Sequence, residues 1–192
     1  MYDQIKTQIS KLINLDKDEL AYFVSKLQTK HLKRKELLLR EGEICKHSFF
    51  INYGSLRYFY NIDGQERTGQ FFFENSWYTD YDSYLSGKIS NQNIEALEKT
   101  EVLILAKTDL EKLFVEIPKF EKFGRIMAEN AYLGIRNRTE SLTNLTAEER
   151  YLNLIKDRPK VFERVPQHYI ASYLGIKAPS LSRIRKRLFD NR

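Results

Sequence analysis

The chain has 192 residues, and a hydrophobic content of 42% with 13% aromatic residues suffices for one or two folded domains with a sizeable core. No apolar run approaches the roughly 20 residues of a membrane span, and residues 1–12 lack the apolar segment of a secretion signal. We therefore expect a cytoplasmic protein with no membrane partner.

Residue types that bind metals are few and scattered. Cys45 is the single cysteine, which excludes a disulfide framework and a four-thiolate zinc or iron–sulfur site. The histidines His31, His47 and His168 have no metal-ligand spacing. The sequence predicts no metal and no other cofactor.

The net charge of +6 is concentrated at the carboxyl end. Residues 1–144 contain 21 Lys or Arg and 21 Asp or Glu, whereas residues 145–192 contain 11 and 5. A neutral body with a basic end is typical of DNA-binding proteins, because neutralising DNA phosphates releases counterions.

Residues 3–28, at the amino end, carry apolar side chains at helical spacing and predict one or two short helices. From about residue 30 the pattern changes to short strand-like runs, separated by turn residues such as Asp63-Gly64. These runs cover residues 31–40, 48–52, 55–60, 68–73 and 94–105. Roughly six to eight such strands predict an antiparallel barrel or jelly roll with few exposed edges.

A short helix is predicted over residues 108–114, and Pro118 opens a long one. Along the long helix, asparagines recur at seven-residue spacing between apolar residues, as in a short parallel coiled coil of two strands. The predicted dimer seam consists of Phe123, Ile126, Asn130, Leu133 and Asn137. A neighbouring stripe of Phe120, Met127, Ala131 and Gly134 is predicted to dock on the barrel. Alternatively, both stripes are ordinary core.

Residues 142–146 predict a hinge, after which Thr146 and Glu149 form a capping box for a helix over residues 147–157. Arg158-Pro159 ends that helix. Residues 162–165 then predict a short strand or an extended link.

Residues 167–188 predict a helix-turn-helix. Gly175 supplies the flexible backbone of a tight turn, and Pro179 suits the first turn of a new helix. The buried side of the second helix then consists of Leu181, Ile184 and Leu188. A wing beyond this helix is expected to be absent or minimal.

A second helix of this kind fits the major groove of DNA, with its polar face toward the base edges. We expect Arg183 to read a guanine, with Ser182 and Lys186 assisting at bases or nearby phosphates. Contacts to the DNA backbone are assigned to Gln167, Lys177, Ser180, Arg185 and Arg187. The simpler alternative is an amphipathic helix whose cations are only hydrated.

The order of these parts resembles the Crp/Fnr family of bacterial transcription regulators over nearly the whole chain. Glu41-Gly42-Glu43 and Ile51-x-x-Gly54-x-Leu56-Arg57 resemble the glycine turns of the family's β-roll. Residues 118–141 resemble its dimerisation helix, and residues 148–188 its DNA-binding domain.

The resemblance implies an α+β fold, with an amino-terminal antiparallel jelly roll and flanking helices, a long dimerisation helix and a carboxyl-terminal helix-turn-helix, winged or not. It implies a β-roll sensory domain of the cyclic-nucleotide-binding type over residues 1–117. A dimerisation helix and hinge would follow over residues 118–144, and a DNA-binding domain over residues 145–192. The implied protein is a homodimer, not an enzyme, which binds a near-palindromic operator in double-stranded DNA and acts with RNA polymerase.

The resemblance fails at the sensory chemistry. Family members that bind a cyclic nucleotide carry a Gly-Glu pair and later an Arg-Ser or Arg-Thr pair, whose arginine holds the cyclic phosphate. Here Phe73-Glu74 and Ser90-Asn91 stand at those places, and residues 68–124 contain no arginine. Cyclic AMP binding of the usual kind is therefore not expected.

Aromatic residues fill the corresponding region. They either line an effector pocket or form barrel core with a covering loop. If a pocket exists, its expected contacts are Phe73, Glu74, Trp77 and Tyr81. The effector stays unassigned.

Two other functions stay open from the sequence. One is a constitutive regulator whose barrel binds no ligand. The other is a cupin-like small-molecule enzyme with a basic tail, which would need metal ligands or paired acids inside the barrel, and we identify neither in the sequence.

Overall fold

The structure is a computed structural model that describes residues 2–190, of residues 189 and 190 the backbone alone. Helices α1 (Asp3–Leu12) and α2 (Lys17–Ser25) come first, and α3 (Tyr81–Ser86) interrupts the strands. The helices α4 (Lys107–Glu116) and α5 (Lys119–Asn144) follow the strands. The carboxyl-terminal helices are α6 (Ala147–Asp157), α7 (Lys160–Arg164), α8 (Gln167–Tyr173) and α9 (Ala178–Asp190). None of the described helices is long and apolar enough to cross a membrane.

The strands are β1 (Leu27–Leu32), β2 (Leu37–Leu39), β3 (His47–Tyr53), β4 (Ser55–Ile62), β5 (Gln65–Phe73), β6 (Trp77–Tyr78), β7 (Asn93–Ala96) and β8 (Thr100–Ala106). They form two four-stranded sheets in the orders β1-β8-β3-β6 and β2-β7-β4-β5 within residues 2–190. Strand pairs β1/β8, β3/β8, β3/β6 and β2/β7 are antiparallel. The predicted α+β class is confirmed, with an antiparallel β-sandwich preceded by helices and followed by a long helix.

Contacts divide the chain into two compact units. The first unit comprises the chain up to Arg57 together with Phe72–Tyr132. The second unit comprises Tyr58–Phe71 together with the chain from Leu133 onward. The division falls inside α5, and most of the β4–β5 hairpin belongs to the second unit. The domain boundaries expected from the sequence, after residues 117 and 144, stay a prediction.

The core of the first unit joins its helices to strands β3 and β8. Phe120 is fully buried in this core, and Met127 packs against it. Phe123 is 2% exposed, and its ring centroid lies 5.4 Å from that of Trp77. The expected dimer contact at Phe123 is therefore wrong, because core packing already covers this side chain. The predicted docking stripe does not extend to Gly134. This residue is exposed, and a Cβ added to it would have no neighbour within 4 Å.

A buried ion pair links neighbouring strands of the second sheet in the first unit. The Arg57 side chain on β4 is 0% exposed, and its Nε donates to Glu95 Oε1 on β7 at 3.2 Å. A charge removed from water is costly unless a partner and hydrogen bonds compensate it. Glu95 therefore stabilises the buried guanidinium.

Two local expectations near the second unit's helices need correction. Residues 160–164 form α7, although the sequence predicted a strand or extended link over residues 162–165. Val161 and Val165, four positions apart, are both buried, so the segment buries one helical face. α5 extends to Asn144, which shortens the predicted hinge. The expected absence of a wing concerns chain beyond residue 190 and lies outside the described residues.

Candidate nucleic-acid interface

Helices α8 and α9 contact each other across a tight turn. Gly175 adopts φ +70°, a left-handed conformation that favours glycine. The Gly175 N–H donates to the Ser172 carbonyl, and the Ile176 N–H donates to the Ala171 carbonyl, both at 3.0 Å. These bonds form a Schellman motif, which satisfies the last carbonyls of α8 and reverses the chain. The turn predicted at Gly175 is present.

Buried apolar side chains lie on both α8 and α9. Ile170, Ala171 and Leu174 are buried on the α8 side, and Leu181 and Ile184 on the α9 side. Since Leu181 and Ile184 lie on one face of α9, the opposite face is left to polar residues. The amphipathic pattern predicted for this helix is therefore found at Leu181 and Ile184, whereas Leu188 is half-buried.

The polar face of α9 carries the residues expected to bind DNA. Ser182, Arg183, Lys186 and Arg187 are exposed, as are Gln167 and Lys177 near the helix starts, whereas Ser180 and Arg185 are half-buried. Arg183 Nη2 lies 3.3 Å from Ser180 Oγ, a contact within its own helix. Arg187 pairs with Glu148 of α6, so this guanidinium is partly neutralised. Arg183 and Lys186 thus face solvent, as a base-reading role requires.

The junction between α5 and α6 has the predicted capping box. The Glu149 N–H donates to Thr146 Oγ1 at 3.3 Å, and the Thr146 N–H donates to Glu149 Oε2 at 2.7 Å. Both the backbone N–H and the hydroxyl of Thr146 hold the pKa of the Glu149 carboxyl below its usual range. Arg150 then donates from Nε to the Leu174 carbonyl at 3.0 Å, which ties α6 to the end of α8.

The part of strand β5 that belongs to the second unit contacts α8, a role that sequence reasoning missed. The Thr68 N–H donates to Ser172 Oγ at 2.9 Å, and Ser172 Oγ donates to the Glu66 carbonyl at 3.0 Å. Phe71 packs on Tyr173 with ring centroids 5.3 Å apart. These partners are about a hundred positions apart in the chain, so no local pattern identifies them.

The expected effector residues of the first unit are used in other ways. Glu74 Oε1 accepts a hydrogen bond from the Gly54 N–H at 3.1 Å, which makes it a cap for the β3–β4 turn. Trp77 packs between Phe50 and Phe123, so it serves the hydrophobic core. Phe73 is buried. Burial raises the pKa of the Tyr81 phenol to about 12. These contacts favour the interpretation of this aromatic region as barrel core with a covering loop.

A buried carboxylate lies beside Ser90, one of the two residues at which the resemblance puts a phosphate clamp. Asp80 is 2% exposed, and its Oδ2 accepts a hydrogen bond from Ser90 Oγ at 2.6 Å. Gln92 Nε2 donates to the other oxygen at 3.3 Å. The Ser90 hydroxyl and the Gln92 amide therefore already bind the Asp80 carboxylate. The arginine that a cyclic phosphate would need is missing from this region. Within residues 2–190, no group of three or more His, Cys, Asp or Glu side chains is placed to hold a metal ion.

Comparison with known proteins agrees with this architecture. Residues 29–116 match the cyclic nucleotide-binding domain family. FixK2 from Bradyrhizobium japonicum is similar in structure with a TM-score of 0.72 at 18% identity, over 86% of this chain and 85% of that one. A transcriptional regulator of the Crp/Fnr family from Eubacterium rectale gives 0.71 at 14% identity, over 93% and 85%. The c-di-GMP responsive global regulator CLP from Xanthomonas campestris gives 0.69 at 14% identity, over 92% and 93%. A comparison with curated proteins gave no match.

Residues 29–116 are therefore similar to the cyclic nucleotide-binding domain family, and the strands of this region form a β-sandwich. Over most of the chain's length its structural neighbours are Crp/Fnr family regulators, and the resemblance stated from the sequence is confirmed. At these identities the likeness establishes the fold.

Proposed function

We propose that this chain is a sequence-specific DNA-binding transcription regulator of the Crp/Fnr type. The observation that carries the proposal is the exposed face of α9 with Arg183 and Lys186, on a helix fixed to α8 by the turn at Gly175. In this reading α8 and α9 form the helix-turn-helix, and α9 enters the major groove. The protein acts in the bacterial cytoplasm with RNA polymerase, and its role is regulatory and not enzymatic.

Selection of bound sequences from random duplex DNA by the purified full chain tests this proposal. We expect enrichment of a near-palindrome whose half-sites lie about one helical turn apart, because a symmetric dimer presents two copies of α9. Recovery of unrelated sequences with no shared half-site would contradict it and favour hydrated cations on α9.

We further propose that the regulator is a homodimer paired through α5. On the later part of this helix the large apolar side chain of Leu133, a residue of the predicted seam, is 50% exposed. Asn130 and Asn137, also exposed, flank Leu133 along the predicted seam, while Ile126 is half-buried. Exposed apolar residues of this kind on a long helix are typical of an interface, and the Asn spacing favours a second copy of the same helix.

Leu133→Asp is expected to raise the dissociation constant of the dimer at least about tenfold, because it buries two unpaired carboxylates at the seam. Ile135→Asp is the matched control, since it adds the same charge two positions away and off the seam. Sedimentation equilibrium of both variants measures the effect. Equal weakening of the dimer by both variants, or no weakening by either, would contradict the assigned seam.

The sensory domain is proposed to bind no cyclic AMP in the usual mode, because the buried Asp80 lies beside Ser90 at the expected phosphate clamp and residues 68–124 contain no arginine. A constitutive regulator with a ligand-free barrel is the second candidate that this observation favours. Calorimetric titration with cyclic AMP, cyclic GMP and cyclic di-GMP, the last because CLP responds to it, tests both. Binding of cyclic AMP at micromolar concentration would contradict the proposal.

A further inference from the structure

We propose that the second unit holds a binding site for a phosphate-bearing small molecule, in a cleft lined by Arg138, Arg150 and Arg158. The cleft has a volume of about 460 Å³ and lies among the end of α5, α6 and the end of α8. A volume of this size falls within the range of ordinary small-molecule sites, roughly 300 to 1,000 Å³. Its lining residues all lie outside residues 29–116, which the cyclic nucleotide-binding family match covers.

Arg138 lies on α5, Arg150 lies on α6 and Arg158 is the residue that caps the end of α6; all three are half-buried. Each uses part of its guanidinium to hold a backbone carbonyl: Arg138 that of Tyr173, Arg150 those of Leu174 and Leu145, and Arg158 that of Phe71. Hydrogen bonds to backbone carbonyls hold these side chains in place, but they do not neutralise the guanidinium charge. The cleft is therefore a preorganised cationic wall.

Among the side chains of residues 2–188, none of these three guanidinium groups forms an ion pair with a carboxylate. Two carboxylates also line the cleft, Glu140 and Asp157, but Glu140 is held by Arg136 at 2.9 Å. The cations of the wall thus outnumber the carboxylates, and one of those carboxylates is already paired.

Geometry and electrostatics both favour an anion with several oxygens. Guanidinium groups present planar pairs of N–H donors that match phosphate oxygens. Burial lowers the pKa of the Arg138 guanidinium, the charge of Arg150 lowers it further, and Tyr173 acts in the opposite direction. A bound phosphate would offset this repulsion. Asn137 and Asn144 on the same wall offer amides for the rest of the molecule.

Such a ligand would bridge the helices that present α9. Arg150 already joins the start of α6 to the end of α8, and Arg138 stacks 3.9 Å above the Tyr173 ring at the same place. An anion bound between these side chains would stiffen the junction. The inference goes beyond the proposed function, since anion binding is measured without DNA.

Calorimetric titration of the full chain with inorganic pyrophosphate and with ATP, without DNA and at about 150 mM salt to screen weak surface attraction, tests this site. We expect binding below about 1 mM for at least one probe. Arg138→Gln should weaken it at least about tenfold, because a charge-assisted phosphate contact is lost. Arg125→Gln, which removes an exposed arginine of the first unit paired with Glu129 at 2.5 Å, is the matched control and should leave it unchanged.

Asp157→Asn is a second test of the site, which applies even if Arg138→Gln fails to fold. Asp157 is exposed, and removing its negative charge from the wall should tighten anion binding by about two- to fivefold. No binding of either probe, or equal effects of Arg138→Gln and Arg125→Gln, would overturn the site. Random duplex DNA separates the two sources of phosphate. If Arg138→Gln weakens binding to DNA while the unmodified protein binds neither probe, the cleft contacts the DNA backbone and the small-molecule site is rejected.

Discussion

Arg183→Ala is expected to weaken binding to the selected operator by about 10- to 100-fold, with little effect on random DNA. An arginine that reads a guanine through two hydrogen bonds contributes roughly 1–3 kcal/mol of discrimination, and that contribution vanishes on random sequence. Arg183 is exposed on α9, and its Nη2 contacts Ser180 Oγ of the same helix at 3.3 Å. Fluorescence anisotropy with operator and random duplexes measures the difference.

Two controls make this result specific. Arg125→Ala, on an exposed arginine of α5 outside the proposed interface, should change neither affinity. Lys186→Ala should weaken both duplexes to a similar extent if Lys186 contacts phosphate, and should lower the salt dependence of binding. If Arg183→Ala weakens operator and random DNA equally, Arg183 touches only the backbone and base reading belongs to another residue.

Arg57→Met is expected to lower the free energy of unfolding of the first unit by about 3–5 kcal/mol. The substitution leaves the Glu95 carboxylate in a buried position without the guanidinium that now lies 3.2 Å away. Trp77 is the single tryptophan of the chain and lies in the same unit, so its fluorescence during urea denaturation reports on the affected core.

A double variant separates the ion pair from the packing of the side chain. Arg57→Met with Glu95→Leu should recover most of the loss, because neither charge is then left buried. Arg125→Ala, which breaks an exposed pair with Glu129 in the same unit, should cost no more than about 1 kcal/mol. A loss for Arg57→Met no larger than for Arg125→Ala would mean that the buried pair does not hold the sheet together.

Features that depend on neighbours within about four positions were predictable. The capping box of Thr146 and Glu149 and the turn at Gly175 follow from hydrogen bonds inside one turn of helix, and both are present. The polar face of α9 likewise follows from helical periodicity. The α7 segment was predicted wrongly, because five residues carry too little pattern to separate a strand from a helix.

Features that depend on distant neighbours were not predictable. Phe123 fits a heptad seam as well as it fits a core, and contact with Trp77, which lies 46 positions earlier, makes it core. Glu74 satisfies the hydrogen-bonding need of the β3–β4 turn, which its position in a family motif does not indicate. The arginines of the cleft are also separated in the chain, and without coordinates each reads as a surface cation.

By itself, the sequence determined the order of the parts, the amphipathic face of α9 with Arg183 and Lys186, and the lack of arginine over residues 68–124. Helical periodicity, capping and residue identity are properties of short segments, and they survive without knowledge of the fold. Only the tertiary structure decided which apolar side chains are covered, that Asp80 sits against Ser90, and that three arginines face one cleft. Burial and charge compensation depend on atoms that folding brings together. The separation of two residues along the chain does not show whether they will be in contact.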